Sequence, residues 1–283
     1  MNSTKSSNFS IRQSKTLLYS ILLDLFGFTS ILPLFPGILA FYEHNDQSHN
    51  FRALLSKITH FRSQVLNAPE ILKTTNSNTA VISVDSILLG GFLGSWFSLL
   101  QCFSNPIFIK LAQNPKIGAK KILILSLSGS ILSSMIWYQS TTFFKFFLAR
   151  TLGGFFEGNV SLSISLLAQN KSETSRKRCM AYVGICYSLA FVFGPLIGVR
   201  LSNYLNGNLF SEQEFYKLPA VFSGVCSFAA ALILVFRYEN EPINEESGTE
   251  NSNNDNQKIN RLYMTYFIYL LAFSGIEFNL GFL

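Results

Sequence analysis

The sequence predicts an all-α membrane protein in which a six-helix N-terminal bundle is followed by a polar linker and a seventh transmembrane helix. Three observations predict it. Of the 283 residues, 48% are hydrophobic and only 13% charged, about half the charged share of a soluble domain. Apolar windows of roughly 17 to 25 residues recur along the chain, the length needed to cross a hydrocarbon core of about 30 Å. Ser, Thr, Gly and one Asp interrupt these windows, which suits helices packed on one another better than a lone lipid-bathed anchor.

Residues 1–14 are a polar tail. The first window, Thr16 to Phe41, carries Asp24 near its middle and ends Pro33-Leu34-Phe35-Pro36 without a small-residue cleavage site. It therefore reads as a retained span and not as a secretory signal. A long loop, 42–84, follows. Within it Phe51, Leu54, Leu55, Ile58, Phe61, Val65 and Leu66 recur close to the i, i+3, i+4, i+7 stripe of an amphipathic helix, expected to lie on the outer membrane face; flanking Asn, Ser and Thr leave a poorly ordered loop with a coincidental stripe as the competing reading. Asp85 is placed to cap the second span, Ser86 to Ile109. The third span is Ile122 to Tyr138, and the fourth, Thr142 to Ala168, is predicted as one helix. Met180 to Leu201 and Leu218 to Arg237 are the fifth and sixth. Residues 239–261 hold Glu245, Glu246, Asn251, Asn253, Asn254 and Asp255 without apolar periodicity and read as a flexible linker. Leu262 to Leu283 is the seventh span. It ends Gly281-Phe282-Leu283 with no polar tail, as expected of a truncated product.

Charge sets an expected orientation. With the N-terminus cytoplasmic, fourteen of the 22 Lys and Arg residues fall on the inner side, seven on the outer side, and Arg150 inside a span. The positive-inside rule then predicts an N-in, integral multi-pass protein of the plasma membrane or an endomembrane. The net charge of +6 follows from this asymmetry and from attraction to anionic inner-leaflet lipid, so a nucleic-acid partner is not called for. Cys102, Cys179, Cys186 and Cys226 lie in or beside apolar windows without zinc-site spacing and are assigned to packing. The three histidines all lie in the first loop and form no metal-ligand pattern. Gly90-Gly91-Phe92-Leu93-Gly94 lacks the lysine and hydroxyl of a phosphate cradle. Neither enzyme chemistry, nor a metal, nor a bound cofactor is expected.

The candidate functional residues are ionisable or small groups inside the spans. An ionised side chain in hydrocarbon costs about 2.5 to 3.5 kcal/mol on insertion scales, so its default role is functional. Asp24 lies about 13 Å and Arg150 about 18 Å from the inner boundary at 1.5 Å per helical residue. One helical turn separates these depths, and a buried Asp24–Arg150 ion pair is expected, either as a proton- or substrate-sensitive contact or as a fixed packing pair. Glu157, seven residues after Arg150, and Ser161, eleven after, share its face on a continuous helix. Asn159 points away and reads as an interhelical hydrogen-bond partner. Gly153 and Gly154 allow a second helix to approach. In the fifth span Gly184, Ala190, Gly194, Pro195 and Gly198 form a run of small residues around a proline, where the helix is expected to bend and pack tightly.

Four stretches resemble the N-terminal half of the major facilitator superfamily, and more closely its tetracycline-transporter-like (TETRAN) branch. They are Leu22-Leu23-Asp24-Leu25 through Leu32-Pro33-Leu34-Phe35-Pro36; Asp85 to Gly91 with Gly94-Ser95; Arg150-Thr151-Leu152-Gly153-Gly154 with Gly158 to Ser163; and Gly194-Pro195-Leu196-Ile197-Gly198. The resemblance implies a proton-coupled secondary transporter of small organic solutes, organic anions or drug-like molecules, working by alternating access. A proton gradient would drive it, and the lipid bilayer and the solute would be its partners. It also implies that the fourth-span arginine and glycine carry coupling and that Gly194 to Gly198 form an antiporter signature. In the loop after the second span, the family's gate is represented by Asn114, Gly118, Lys120 and Lys121, basic but without its aspartate. Ala181 and Ala190 replace expected glycines, and Glu157 stands where this branch carries a basic residue. The family has twelve helices in two bundles with the substrate between them, so a C-terminal half is missing here. Two other readings compete. One is a transport-incompetent membrane protein that binds a partner or ligand; the other is a seven-helix receptor, which needs an external N-terminus.

Overall fold

The computed structural model describes residues 3–65, 84–114, 116–170, 172–205 and 217–239, with Arg261, Met264, Thr265 and Ile268 beyond them. Among these residues there are helices and turns and no strand. The first crossing is built from α1 (Ser3–Thr29), a 3-10 turn (Leu32–Leu34) and α2 (Phe35–Asn45). Pro33 and Pro36 each fall in the opening turn of their element, where a missing N–H breaks no helical bond. Ser30 donates its N–H to Phe26 O and its hydroxyl to Gly27 O, satisfying carbonyls that the end of α1 leaves open, while the Thr29 hydroxyl bonds back to Leu25 O. Helix also extends through the residues read as a polar tail, because a hydropathy window finds the apolar part of a helix and not its ends.

The amphipathic stripe of the first loop forms α3 (His49–Val65). Phe51 is buried and Leu54, Leu55 and Ile58 are half-buried against the bundle, while Arg52 and Lys57 are exposed. The side chains of Phe61, Val65, Leu66 and Asp85 lie outside the described set. Then follow α4 (Val84–Gln113), α5 (Ala119–Tyr138), α6 (Phe143–Phe156), α7 (Asn159–Ala168), α8 (Glu173–Leu205) and α9 (Leu218–Arg237).

The predicted fourth span is not one helix. Backbone geometry leaves the helix at Glu157, whose ψ is 55°, and resumes at Asn159. The break is stable because its polar groups find partners. Gly158 N donates to Phe156 O at 2.7 Å and to Ser126 Oγ at 3.0 Å, and Ser126 Oγ donates to Phe156 O. A serine of α5 therefore supplies what the interrupted helix lacks, the condition for irregular backbone within a membrane. Arg150, Glu157 and Ser161 consequently do not form one stripe on one helix.

Two apolar clusters fix the order of the crossings. One contains Leu17 and Ile21 of α1, Phe108 of α4, Leu123 of α5, Leu167 of α7, Cys179 of α8 and Leu234 of α9. The other contains Leu39 of α2, Phe51 of α3, Leu89 of α4, Trp137 of α5, Phe146 of α6 and Ala220 of α9. The chain shuttles between them, so successive crossings are antiparallel, the arrangement short connections impose. Five helical segments, Arg12–Glu43, Leu88–Gln113, Ala119–Tyr138, Glu173–Arg200 and Leu218–Arg237, are long and apolar enough to span a bilayer. The remaining crossing is shared by α6 and α7. Arg261, Met264, Thr265 and Ile268 are helical, and the rest of the predicted seventh span lies outside the described residues, as does the linker from 240 to 260.

Cys179, Cys186 and Cys226 are buried, in keeping with packing, whereas Cys102 is exposed. The apolar window around Cys102 turns that side outward, and the packing assignment does not hold for it.

Candidate functional site

Asp24 is 5% exposed and sits on the face of α1 that meets α7. Its partner is Asn159, the first residue of α7, whose Nδ2 donates to Asp24 Oδ2 at 3.0 Å. Ser20, one turn earlier on α1, donates to Asn159 Oδ1 at 3.2 Å. A carboxylate buried in a low-dielectric interior needs such donors, and both ends of the Asn159 amide are used. The expected Asp24–Arg150 ion pair does not form. Matching depth along the membrane normal left the direction of each side chain around its helix unfixed, and Asn159 occupies the position opposite Asp24. Lys177 and Glu173 form an exposed ion pair within α8 at 2.7 Å.

Arg150 projects instead into aromatic rings. Its guanidinium carbon is 4.7 Å from the Trp137 ring centre, 5.8 Å from Phe146, and 5.9 Å from both Phe35 and Phe97. A desolvated cation over an aromatic face gains about 2 kcal/mol, so this cage offsets part of the cost of holding the charge in the bundle. The rings fix one another: Trp137 and Phe146 are 5.4 Å apart, Tyr42 and Phe146 5.2 Å. Arg150 Nε is buried without a hydrogen-bond partner. Glu157 is the residue at which the α6–α7 crossing breaks. It thus stands along the chain between the caged Arg150 on α6 and Asn159, the residue that holds Asp24. Ser161 lies apart from these residues and accepts a hydrogen bond from Asn105 Nδ2 of α4 at 3.0 Å.

The small residues bring helices close. A Cβ on Gly154 would stand 3.0 Å from the Phe97 carbonyl oxygen, and one on Gly153 2.9 Å from Ser133 Oγ. On α8, a Cβ at Gly194 would overlap Thr29, and one at Gly198 would overlap the Ser30 carbonyl. Thr29 Oγ1 also donates to Ala190 O at 2.9 Å. The run around Pro195 is therefore the seat of the end of α1, while Gly184 faces open space. In the α4–α5 turn, Asn114 Oδ1 accepts from Lys116 N, and Gly118 takes φ 78°, a backbone that favours glycine. Lys120 Nζ donates to Val235 O at 2.8 Å near the end of α9, and Lys121 is exposed.

Asp46 was invisible to sequence reasoning. In the turn between α2 and α3 it accepts from Ser48 N at 2.9 Å and from Phe143 N, the first residue of α6, at 2.6 Å. Burial alone would raise its pKa, but the Ser48 and Phe143 donors outweigh burial and hold it below the ordinary value of 3.8. Asp46 thus caps α6 from a distant loop, two turns before Arg150. The aromatic cage was missed as well, because phenylalanines facing lipid and facing an arginine look alike in sequence.

Comparison with known proteins places the chain. The family profile of the Major Facilitator Superfamily matches residues 17–283. Mouse major facilitator superfamily domain-containing protein 10 is 30% identical over 287 residues, covering 94% of this chain and 59% of the mouse protein. Tetracycline resistance protein class B of Escherichia coli is 22% identical over 177 residues, covering 62% of this chain and 41% of that protein. The crystal structure of the human organic anion transporter MFSD10 (TETRAN) superposes with a TM-score of 0.74 at 25% identity, over 96% of this chain and 65% of that one. The chain therefore spans little more than half the length of the mouse relative, and it is an integral multi-pass membrane protein. With its helices, its motifs and the profile match in agreement, the chain belongs to the major facilitator superfamily.

Proposed function

We propose that this chain is the N-terminal bundle of a secondary transporter that moves small organic solutes, organic anions among them, by proton-coupled alternating access. The observation that carries the reading is Asp24, buried and held by Asn159, with the helix break at Glu157 lying between Asn159 and the caged Arg150. A buried carboxylate whose partners lie on another helix can couple protonation to helix movement, because taking up a proton removes the charge those partners stabilise. The Glu157–Gly158 break supplies a joint in the α6–α7 crossing at that site, as interrupted helices do at transporter midplanes. Arg150, with an unmet Nε donor, supplies attraction for a carboxylate or sulfonate. The human relative's designation as an organic anion transporter supports this class of solute.

In this reading a second bundle, from a longer product or from another chain, closes the cavity, and the N-terminus lies in the cytoplasm. Asp24 and Arg150 serve coupling and binding, Gly153, Gly154, Gly194, Pro195 and Gly198 let the helices slide, and Asn114, Gly118, Lys120 and Lys121 form the cytoplasmic gate. The test is uptake of fluorescein, a small organic anion, by the full-length protein in liposomes with an imposed proton gradient. Gradient-dependent uptake that Arg150→Ala reduces more than 10-fold, about 1.4 kcal/mol of lost stabilisation, supports it. Uptake indifferent to the gradient or to Arg150 contradicts it.

A further inference from the structure

From Asp24 a polar seam runs on between α1 and α7 toward the start of α1. Along α1, Arg12, Thr16, Ser20 and Asp24 recur at every fourth residue, which places them on one face with neighbouring Cβ atoms about 5–6 Å apart. Arg12 is exposed, whereas Thr16, Ser20 and Asp24 are buried. Helix α7 lies antiparallel to α1, and two hydrogen bonds set its register: Asn159 to Asp24 at 3.0 Å and, just past the end of α7, Asn170 to Ser14 at 3.3 Å. That register brings Ser163 level with Ser20.

Ser163 is 0% exposed, and its Oγ is buried without a hydrogen-bond partner. An unsatisfied buried hydroxyl costs about 1–3 kcal/mol, and a bridging water is the usual remedy where other polar groups are near. Ser20 Oγ, which donates to Asn159, keeps lone pairs for such a water.

We propose that this seam conducts protons between Asp24 and the aqueous phase on the side where α1 begins, with the Ser20 and Ser163 hydroxyls and the waters they seat linking Asp24 to Thr16 two turns away. The inference rests on the proton-coupled reading of Asp24. On release, the carboxyl O–H of Asp24 breaks. Each intervening oxygen gains one proton and passes another on, and the Thr16 hydroxyl, turning from the Arg12 carbonyl to which it donates at rest, hands the last to water. Hydronium forms in the water beside Arg12 and Asp24 is left as a carboxylate, so charge and atoms balance without a co-reactant.

The experiment compares two fluxes of fluorescein in liposomes holding the full-length protein: uptake driven by a proton gradient, and exchange at equal pH. Ser163→Ala and Thr16→Val should lower driven uptake about 10-fold while exchange stays within about twofold. Ser163→Thr, which keeps the hydroxyl, should restore driven uptake. Wild-type driven uptake in both hydroxyl-less variants overturns the seam, as does a fall in exchange equal to the fall in driven uptake, which marks a packing role. A wild-type protein whose uptake ignores the gradient overturns the coupling reading and the seam with it, and reveals this before any variant is compared.

Discussion

Removing the Asp46 carboxylate should loosen α6 at its N-terminus. Both oxygens are committed, one to Ser48 N at 2.9 Å and one to Phe143 N at 2.6 Å, so Asp46→Ala leaves the first amide of α6 without its acceptor. Losing an N-cap costs about 0.5–2 kcal/mol, and a buried N–H left unpaired costs about 1–3 kcal/mol. These overlap, and the expected loss is about 2 kcal/mol for Asp46→Ala. Asp46→Asn keeps one oxygen acceptor and loses the charge that favours a helix N-terminus, worth about 0.3–1 kcal/mol, so about 1 kcal/mol is expected. Reversible unfolding in mixed detergent micelles measures both. The folded pKa lies below the unfolded 3.8, so this stabilisation is fully present above 3.8 and is lost as pH falls through the folded value. The gap between wild type and Asp46→Ala should thus be constant from neutral pH down to about 5 and close in stronger acid. Wild-type stability in Asp46→Ala, or a gap that widens as pH falls, refutes the capping argument.

Two further substitutions test packing and the Asp24 contact. Gly198→Ala should destabilise the bundle by about 1–3 kcal/mol, the usual cost of overpacking, because its Cβ would meet the Ser30 carbonyl, whereas Gly184→Ala, with open space around it, should be neutral; equal melting temperatures would contradict the close seating of α8 on α1. Asn159→Leu removes the bonds to Asp24 and Ser20, each worth about 0.6 and at most about 1.7 kcal/mol in membrane proteins. Its loss in stability should shrink when Asp24→Asn is already present, and strict additivity of the two would mean that the residues do not interact.

The spans were legible because hydrophobic length is a one-dimensional property, and α3 because Phe51, Leu54, Leu55 and Ile58 repeat at helical spacing. The break at Glu157–Gly158 was hidden because Phe155, Phe156 and Val160 keep the window apolar on both sides. What betrays it is the Ser126 hydroxyl of another helix, which no local window contains. Asp24 and Arg150 were found from cost alone, as charges in hydrocarbon, but their partners depend on how each helix is rotated. That rotation is set by contacts such as Gly198 on Ser30 and Gly154 on Phe97, and it turned Asp24 toward Asn159 and Arg150 toward Trp137. Asp46 has an unremarkable sequence context, and its role exists only because the α2–α3 turn folds over the start of α6.

The central claim is that Asp24 binds the coupled proton, and the most direct test is Asp24→Asn in the full-length protein. Fluorescein uptake driven by a proton gradient and fluorescein exchange at equal pH would be measured in the same liposomes. The amide keeps the size of the side chain but carries no exchangeable carboxyl proton. The account predicts that driven uptake disappears while exchange persists. Driven uptake at the wild-type rate would contradict it.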